Sequence, residues 1–211
     1  MEKCVISKTK HKVFISYHHK NDQWYKNYLV DDMNGDNKIF IDCSVDTGDI
    51  DDSLPAETIR RKIRDEYLRD SSVTILLVGK STWSRKHIDW ELHSSMIDGP
   101  INKKSGILII LLPSVQGNCF LAPHSEMEKS IYPNATWGGF GREQYEEKFG
   151  CLPRIILDNI KQGVPISITR WSDIADKPAV LKYLIDVAFQ DKEACNYILS
   201  RPMLKKNLIE E

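Results

Sequence analysis

The carboxylate of Glu91 stands where a protein most readily houses chemistry. A β-rich run, Val73 to Leu77, ends at Val78-Gly79, and the polar loop Lys80-Ser81-Thr82-Trp83 follows. A helical pattern opens near Ser84, with Ile88, Leu92, Ser95 and Met96 on one side. Glu91, three residues after Ile88, lies at the edge of that apolar stripe. Open α/β sheets bind ligands just past the carboxyl ends of their strands. A carboxylate desolvated there must be offset by something it binds. The plainer account is a glutamate near a helix start favoured by the dipole. The residues alone leave both open.

Two other stretches carry polar groups at strand ends. VFISYHHKND places Ser16, Tyr17, His18 and His19 after an apolar run, either lining a pocket or satisfying a βα turn. IDCSVDTGDIDD makes the next loop acidic through Asp42, Asp46, Asp49, Asp51 and Asp52. Its spacing does not fit an EF-hand, and no glutamate stands at the twelfth position, so a solvated loop is the default. There is no GxGxxG after the first strand, no GxxxxGK[ST] and no GxSxG, so dinucleotide-fold, P-loop and nucleophile-elbow chemistry find no support. His18 and His19 are adjacent rather than one helical turn apart, and no CxxC occurs, so no metal site is expected.

The elements that must position these groups alternate. Lys12 to Tyr17 reads as a first strand, Asn21-Asp22 as a helix cap, and Gln23 to Met33 as a helix with Trp24, Tyr28 and Leu29 turned to the core. Lys38 to Asp42 is a second strand; Pro55 opens a helix to about Arg69. Val73 to Val78 is the third strand, with a helix from Ser84 to Ile97, and Ile107 to Leu112 the fourth. A helix from Pro153 to Lys161, a fifth strand from Gly163 to Ile168 and a helix from Lys177 to Phe189 complete the pattern. Strand–helix alternation predicts an α/β fold: a flavodoxin-like, mostly parallel five-stranded sheet with helices on both faces. Residues 1–190 read as one domain, with an irregular insertion over about 113–150 that is rich in Pro, Gly and aromatics. The segment 191–211 reads as a helical tail in which Ala194, Tyr197, Ile198 and Leu199 pack and Pro202 ends the helix.

Composition bounds the partners. The chain has 211 residues and a net charge of −1, so it has no electrostatic footprint for nucleic acid or an anionic membrane. Its longest apolar run, Ile107 to Leu112, is far too short to span a bilayer, and MEKCVISKTKHK lacks a signal-peptide core. Five widely spaced cysteines suit reduced thiols, which predicts a cytoplasmic protein.

The segments KVFISYHHKND, KIFIDCSVDTGDI, SSVTILLVGKST and SRKHIDWEL, in this order and spacing, resemble the TIR domain superfamily, and most closely its TIR-like bacterial branch. The likeness is good over about residues 10 to 112. The whole chain, with its insertion and C-terminal part, is similar to the TIR proteins of bacterial Thoeris anti-phage systems. The resemblance implies an enzyme that takes NAD as substrate, with no cofactor, and breaks its nicotinamide–ribose bond with one glutamate, here Glu91. It further implies a cyclic ADP-ribose isomer as product, a messenger that activates a partner NAD-depleting effector after a phage-derived trigger. The family pattern has Trp-Cys four and three residues before the glutamate. Here these are His87 and Ile88, and the nearest tryptophans are Trp83 and Trp90.

The chemistry suits such residues. Bond cleavage leaves an oxocarbenium-like carbon and a neutral leaving group, so the site needs an anion and a grip on the ribose rather than an acid. Cyclisation also needs water excluded, for which the loop Cys43 to Leu54 and the flap around Trp137 are candidates. Phe14, Ser16, Tyr17 and Asp42 are expected to line the floor, with Asp46, Trp83, Ser84 and His87 as further substrate contacts. The alternative is a non-catalytic adaptor that signals by self-association, with the Cys43–Leu54 loop as interface. A flavodoxin-type FMN or receiver module fits less well: the first loop lacks a Ser/Thr-rich phosphate cradle and paired acids.

Overall fold

Three apolar runs form the centre of one sheet. The computed structural model describes residues 9–44, 53–99, 102–115 and 142–209, together with the backbones of two short strands in the insertion. Strands β1 (His11–Ser16), β2 (Phe40–Asp42), β3 (Val73–Val78) and β4 (Gly106–Leu111) come first, and the sheet is completed by β7 (Ser167–Arg170). The order is β2-β1-β3-β4-β7, and every pairing is parallel, with Ser16 beside Leu76 and Val78 beside Leu111. Parallel strands buried on both faces read as continuous apolar runs, and β3 and β4 are buried at every position.

Residues alternate between two cores. Ile75 and Leu77 join Val13, Ile15, Leu29 and Leu181 on one face, under α1 (His19–Asn27, continued by a π-helical turn Tyr28–Met33) and the last helix, Pro178–Asp191. Leu76 and Val78 join Ile88, Leu92, Ile155 and Ile156 on the other face. That second face is covered by α2 (Ala56–Lys62, with a π-helical turn Ile63–Tyr67), α3 (Lys86–Ser95) and α5 (Arg154–Lys161). The remaining helices are short, α4 (Tyr145–Lys148) and α6 (Trp171–Ile174), and Pro178–Asp191 is α7. Within the insertion β5 (Cys119–Phe120) pairs in parallel with β6 (Thr136–Trp137) as a separate ribbon. This is the expected flavodoxin-like arrangement, with a sheet that is wholly parallel.

Several boundaries move for local reasons. β2 begins at Phe40 rather than Lys38, because Lys38 sits at φ 48°, outside strand geometry. β7 begins at Ser167 rather than Gly163, since Gly163 turns at φ 79° and Pro165 has no N–H to give a ladder. The first helix starts at His19, so its inward positions become Asp22, Leu29 and Met33. Trp24, expected in the core, is therefore 62% exposed, on a cluster of rings with Tyr25, Tyr28 and Trp171. Asp22, expected as a cap, is buried, and a Cβ at Gly79 would lie 2.4 Å from its Oδ2. That oxygen has no hydrogen-bond partner among the described residues, and burial pushes the carboxyl up to about 6.

The tail is the largest departure. After the turn that follows Asp191, residues 195–209 carry no helix and run as a strap across α5 and α3. Its polar backbone is satisfied by side chains of those helices rather than by its own turns.

Candidate active site at the carboxyl edge of the sheet

β1 and β3 end side by side at the point where their connections leave on opposite faces: α1 packs on one, α3 on the other. This switch point is where doubly wound sheets leave a crevice. Ser16 closes β1 and faces the α3 side with Phe14, whereas Ile15 and Tyr17 face the α1 side. Glu91 lies in the second turn of α3, past the first turn where the helix dipole acts, so the dipole account of this residue loses its basis. Ser16 Oγ donates to Glu91 Oε2 at 2.6 Å, the length expected of a hydroxyl on a carboxylate, and the two residues are 1% and 5% exposed.

Phe14, Ile15, Tyr17, His19, Lys26, Ser44 and Glu91 line a cavity of about 30 Å³, room for a water or two. Its walls are tied down. Ile15 N–H donates to Ser44 Oγ at 3.0 Å, and Ser44 N–H to Asp42 Oδ1 at 2.9 Å. Lys26 Nζ lies 3.4 Å from Asp42 Oδ2. Tyr17 donates its hydroxyl to Gln23 Oε1 at 2.8 Å and stacks on His19. A buried carboxylate and an ammonium thus border one small space, suited to a ligand with a cationic centre and an anionic group. Larger cavities of about 520 and 620 Å³ lie beside the carboxyl end of α3 and between α2 and the strap, and Glu91 lines neither.

The structure brings Phe14, Ser16, Tyr17 and Glu91 together, and Asp42 supports the floor through Lys26 and Ser44. Asp46 lies outside the described residues, as do most of the Cys43–Leu54 loop and the side chain of Trp137. Trp83, Ser84 and His87 do not line this cavity. Trp83 and Ser84 belong to a 3-10 turn that the extended Arg85 separates from α3, and Ser84 Oγ donates back to Ser81 O at 2.8 Å. His87 is exposed, its ring set edge-on to Trp90. Lys26 and Ser44 were missed: one lies on the outer turns of α1, the other past β2, and no local pattern marks either. Among the described residues no group of three His, Cys, Asp or Glu could hold a metal ion, and no helix is long and apolar enough to cross a membrane.

The rest of α3 is unusually polar for a buried helix. His93 is fully buried with neither ring nitrogen hydrogen-bonded among the described residues. Burial pushes its imidazole down to about 4, and Arg60 and Arg201 press the same way. At His93 the unfolded chain therefore binds a proton that the folded chain does not between pH 6.5 and 4, so this residue's contribution to stability falls as pH drops through that window, while Asp22 and Asp89, with carboxyls pushed up to about 6, contribute in the opposite sense. The loss below pH 4 amounts to about 3 kcal/mol. Urea unfolding from pH 7.5 to 4 is expected to show the stability of His93→Leu rising relative to that of the native chain as pH falls. Parallel curves would remove His93 as the source.

A wholly parallel five-stranded sheet of this order, with helices on both faces, is the flavodoxin-like arrangement, and it is consistent with a TIR-like domain. Residues 14–117 match the family model described as Thoeris protein ThsB, TIR-like domain, so this domain resembles that of ThsB. No curated protein matches the chain.

Proposed function

We propose that this protein is an NAD-processing enzyme of a bacterial anti-phage system. The observation that carries the reading is the buried Ser16–Glu91 pair at the carboxyl edge of a TIR-like domain. The cavity beside it is too small for a dinucleotide, so NAD lies across its mouth and only the nicotinamide ribose reaches Glu91. The bond from the ribose anomeric carbon to the pyridinium nitrogen breaks. Its electron pair stays on nitrogen, and nicotinamide leaves neutral. The carbon left behind is cationic, and the Glu91 carboxylate stabilises it while accepting a ribose hydroxyl. Ser16 holds the second carboxylate oxygen so that the first faces the sugar. Capture by water gives ADP-ribose; capture by a ring nitrogen or hydroxyl of the same molecule closes a cyclic isomer, and either releases one proton. A cyclic product would serve as messenger to an NAD-depleting partner.

Ser16→Ala removes a charge-assisted bond of the kind worth about 1.5–3 kcal/mol. Its kcat for nicotinamide release is expected to fall roughly tenfold to a hundredfold, with the fold intact by circular dichroism. An unchanged kcat would show that Glu91 needs no such support. The reading itself is tested by incubating the chain with NAD, alone and with filtered lysate of phage-infected cells, and following nicotinamide by chromatography. Release in either condition supports it. No release in either overturns it and leaves an adaptor that works by assembly.

A further inference from the structure

Helix α3 begins without a side chain of its own to cap it, since Arg85 at its start makes no such bond. The strap supplies what is missing. Asn207 Oδ1 accepts from Lys86 N–H at 3.1 Å, and Leu208 N–H donates to Ser84 O at 2.9 Å. An amide oxygen on a first-turn N–H is the work of a helix cap, here done from more than a hundred residues away in sequence.

One turn further in, the strap takes hold twice at a single residue. Leu204 N–H donates to Asp89 Oδ2 at 2.8 Å, and Leu204 O accepts from Trp90 Nε1 at 2.8 Å. Asp89 and Trp90 are the two residues before Glu91. Asp89 is buried, and burial pushes its carboxyl up to about 6 against the opposing pull of that N–H. Beside this contact Met203 packs into the cluster of Phe14, Ile59 and Trp90, and Phe14 also lines the Glu91 cavity.

The hold is made by discrete bonds rather than continuous packing. A cavity of about 620 Å³, lined by Leu54, Ile59, Trp90 and Met203 among others, separates the strap from the start of α2. Further back the strap is fixed independently. The Asn159 amide bonds both Ile198 N–H (2.8 Å) and Ile198 O (3.1 Å), and Arg201 grips Asp158 with two nitrogens. Loss of the Leu204 bonds therefore frees the end of the strap without detaching its root.

We propose that the C-terminal strap is a positioning element for Glu91: Asn207 caps α3, and Leu204 pins Asp89 and Trp90 so that the next residue meets Ser16. The part that concerns catalysis rests on the function proposed above. A misplacement of about 1 Å can cost a factor of about 10² in rate, which is why a clamp on adjacent residues matters. Asp89 and Leu204 are positioning residues in this scheme.

Leu204→Pro deletes the N–H and keeps the carbonyl; Asn207→Ala deletes the cap without touching the core; Asp89→Asn retains an oxygen acceptor. Hydrogen exchange is expected to quicken at the α3 amides in the first two variants, with β3 and β4 amides unchanged. Their kcat for nicotinamide release falls about tenfold while KM moves less than about twofold, and Asp89→Asn stays near native in both readouts. Native-like α3 protection in both Leu204→Pro and Asn207→Ala overturns the clamp whatever the activity. Faster exchange with native kcat overturns the positioning role. If the native chain itself releases no nicotinamide, the enzymatic reading fails, and exchange alone decides whether the strap holds α3.

Discussion

Glu91→Gln is expected to lower the rate of nicotinamide release from NAD by about 10²–10³-fold or more, leaving stability almost unchanged. The substitution keeps the size of the side chain and an oxygen that can still accept from Ser16 Oγ, so the 2.6 Å contact has a replacement. What disappears is the negative charge opposite the developing oxocarbenium carbon. A preorganised group aimed at transition-state charge in a water-poor site contributes about 2.7–4 kcal/mol, the basis of the factor quoted. The effect belongs in kcat, because the charge is needed where the bond has broken rather than in the ground state. The decisive comparison pairs native and variant chains in infected cells. A species with the mass of cyclic ADP-ribose should appear with the native chain alone. Equal product from both would move the chemistry away from Glu91.

Gly106→Ala is expected to cost about 4 kcal/mol or more, a large share of the roughly 5–15 kcal/mol by which an ordinary domain stays folded. Gly106 opens β4, where α7 passes over it. A Cβ there would lie 1.8 Å from Ala188 O and 2.5 Å from Ala188 C. Both are backbone atoms, so no rotamer change relieves the contact, and overpacking is usually relieved only by moving whole elements. α7 cannot easily move: Leu181, Leu184 and Ile185 are fully buried, Asp186 ties it to His11 of β1 (3.1 Å), and Lys182 ties it to Thr9 O (3.2 Å). Soluble yield and the urea midpoint report the outcome. A native midpoint would mean that α7 rides over β4 with slack the packing does not suggest.

Much of the architecture was legible because it depends on short-range patterns. Continuous apolar runs in β3 and β4 signalled strands buried on both faces, and their alternation with helical stretches dictated a parallel sheet. Val73–Val78 emerged with the bounds expected. Boundaries set by single backbone conformations were less visible: the positive φ of Lys38 and the turn at Gly163 shortened two strands. The tail misled for a different reason. Ala194, Tyr197, Ile198 and Leu199 have helical spacing, yet Tyr197 gives its hydroxyl to Ser105 O at 2.9 Å, and Ile198 is bound by Asn159 on both sides of its peptide. Partners distant in sequence outweighed local propensity.

The site divides along the same line. The sequence by itself determined the sheet, the edge at which a ligand can lie, and Glu91 beside it, because apolar periodicity and strand–helix alternation are local properties of the chain. Only the tertiary structure decided that Ser16 is the partner of Glu91, that Lys26 and Ser44 complete the cavity, and that Trp83, Ser84 and His87 stand apart from it. It also decided that residues near the end of the chain cap the helix that bears Glu91. Each of those facts joins groups far apart in sequence, and what selects among such pairings is the burial and hydrogen bonding of the finished fold.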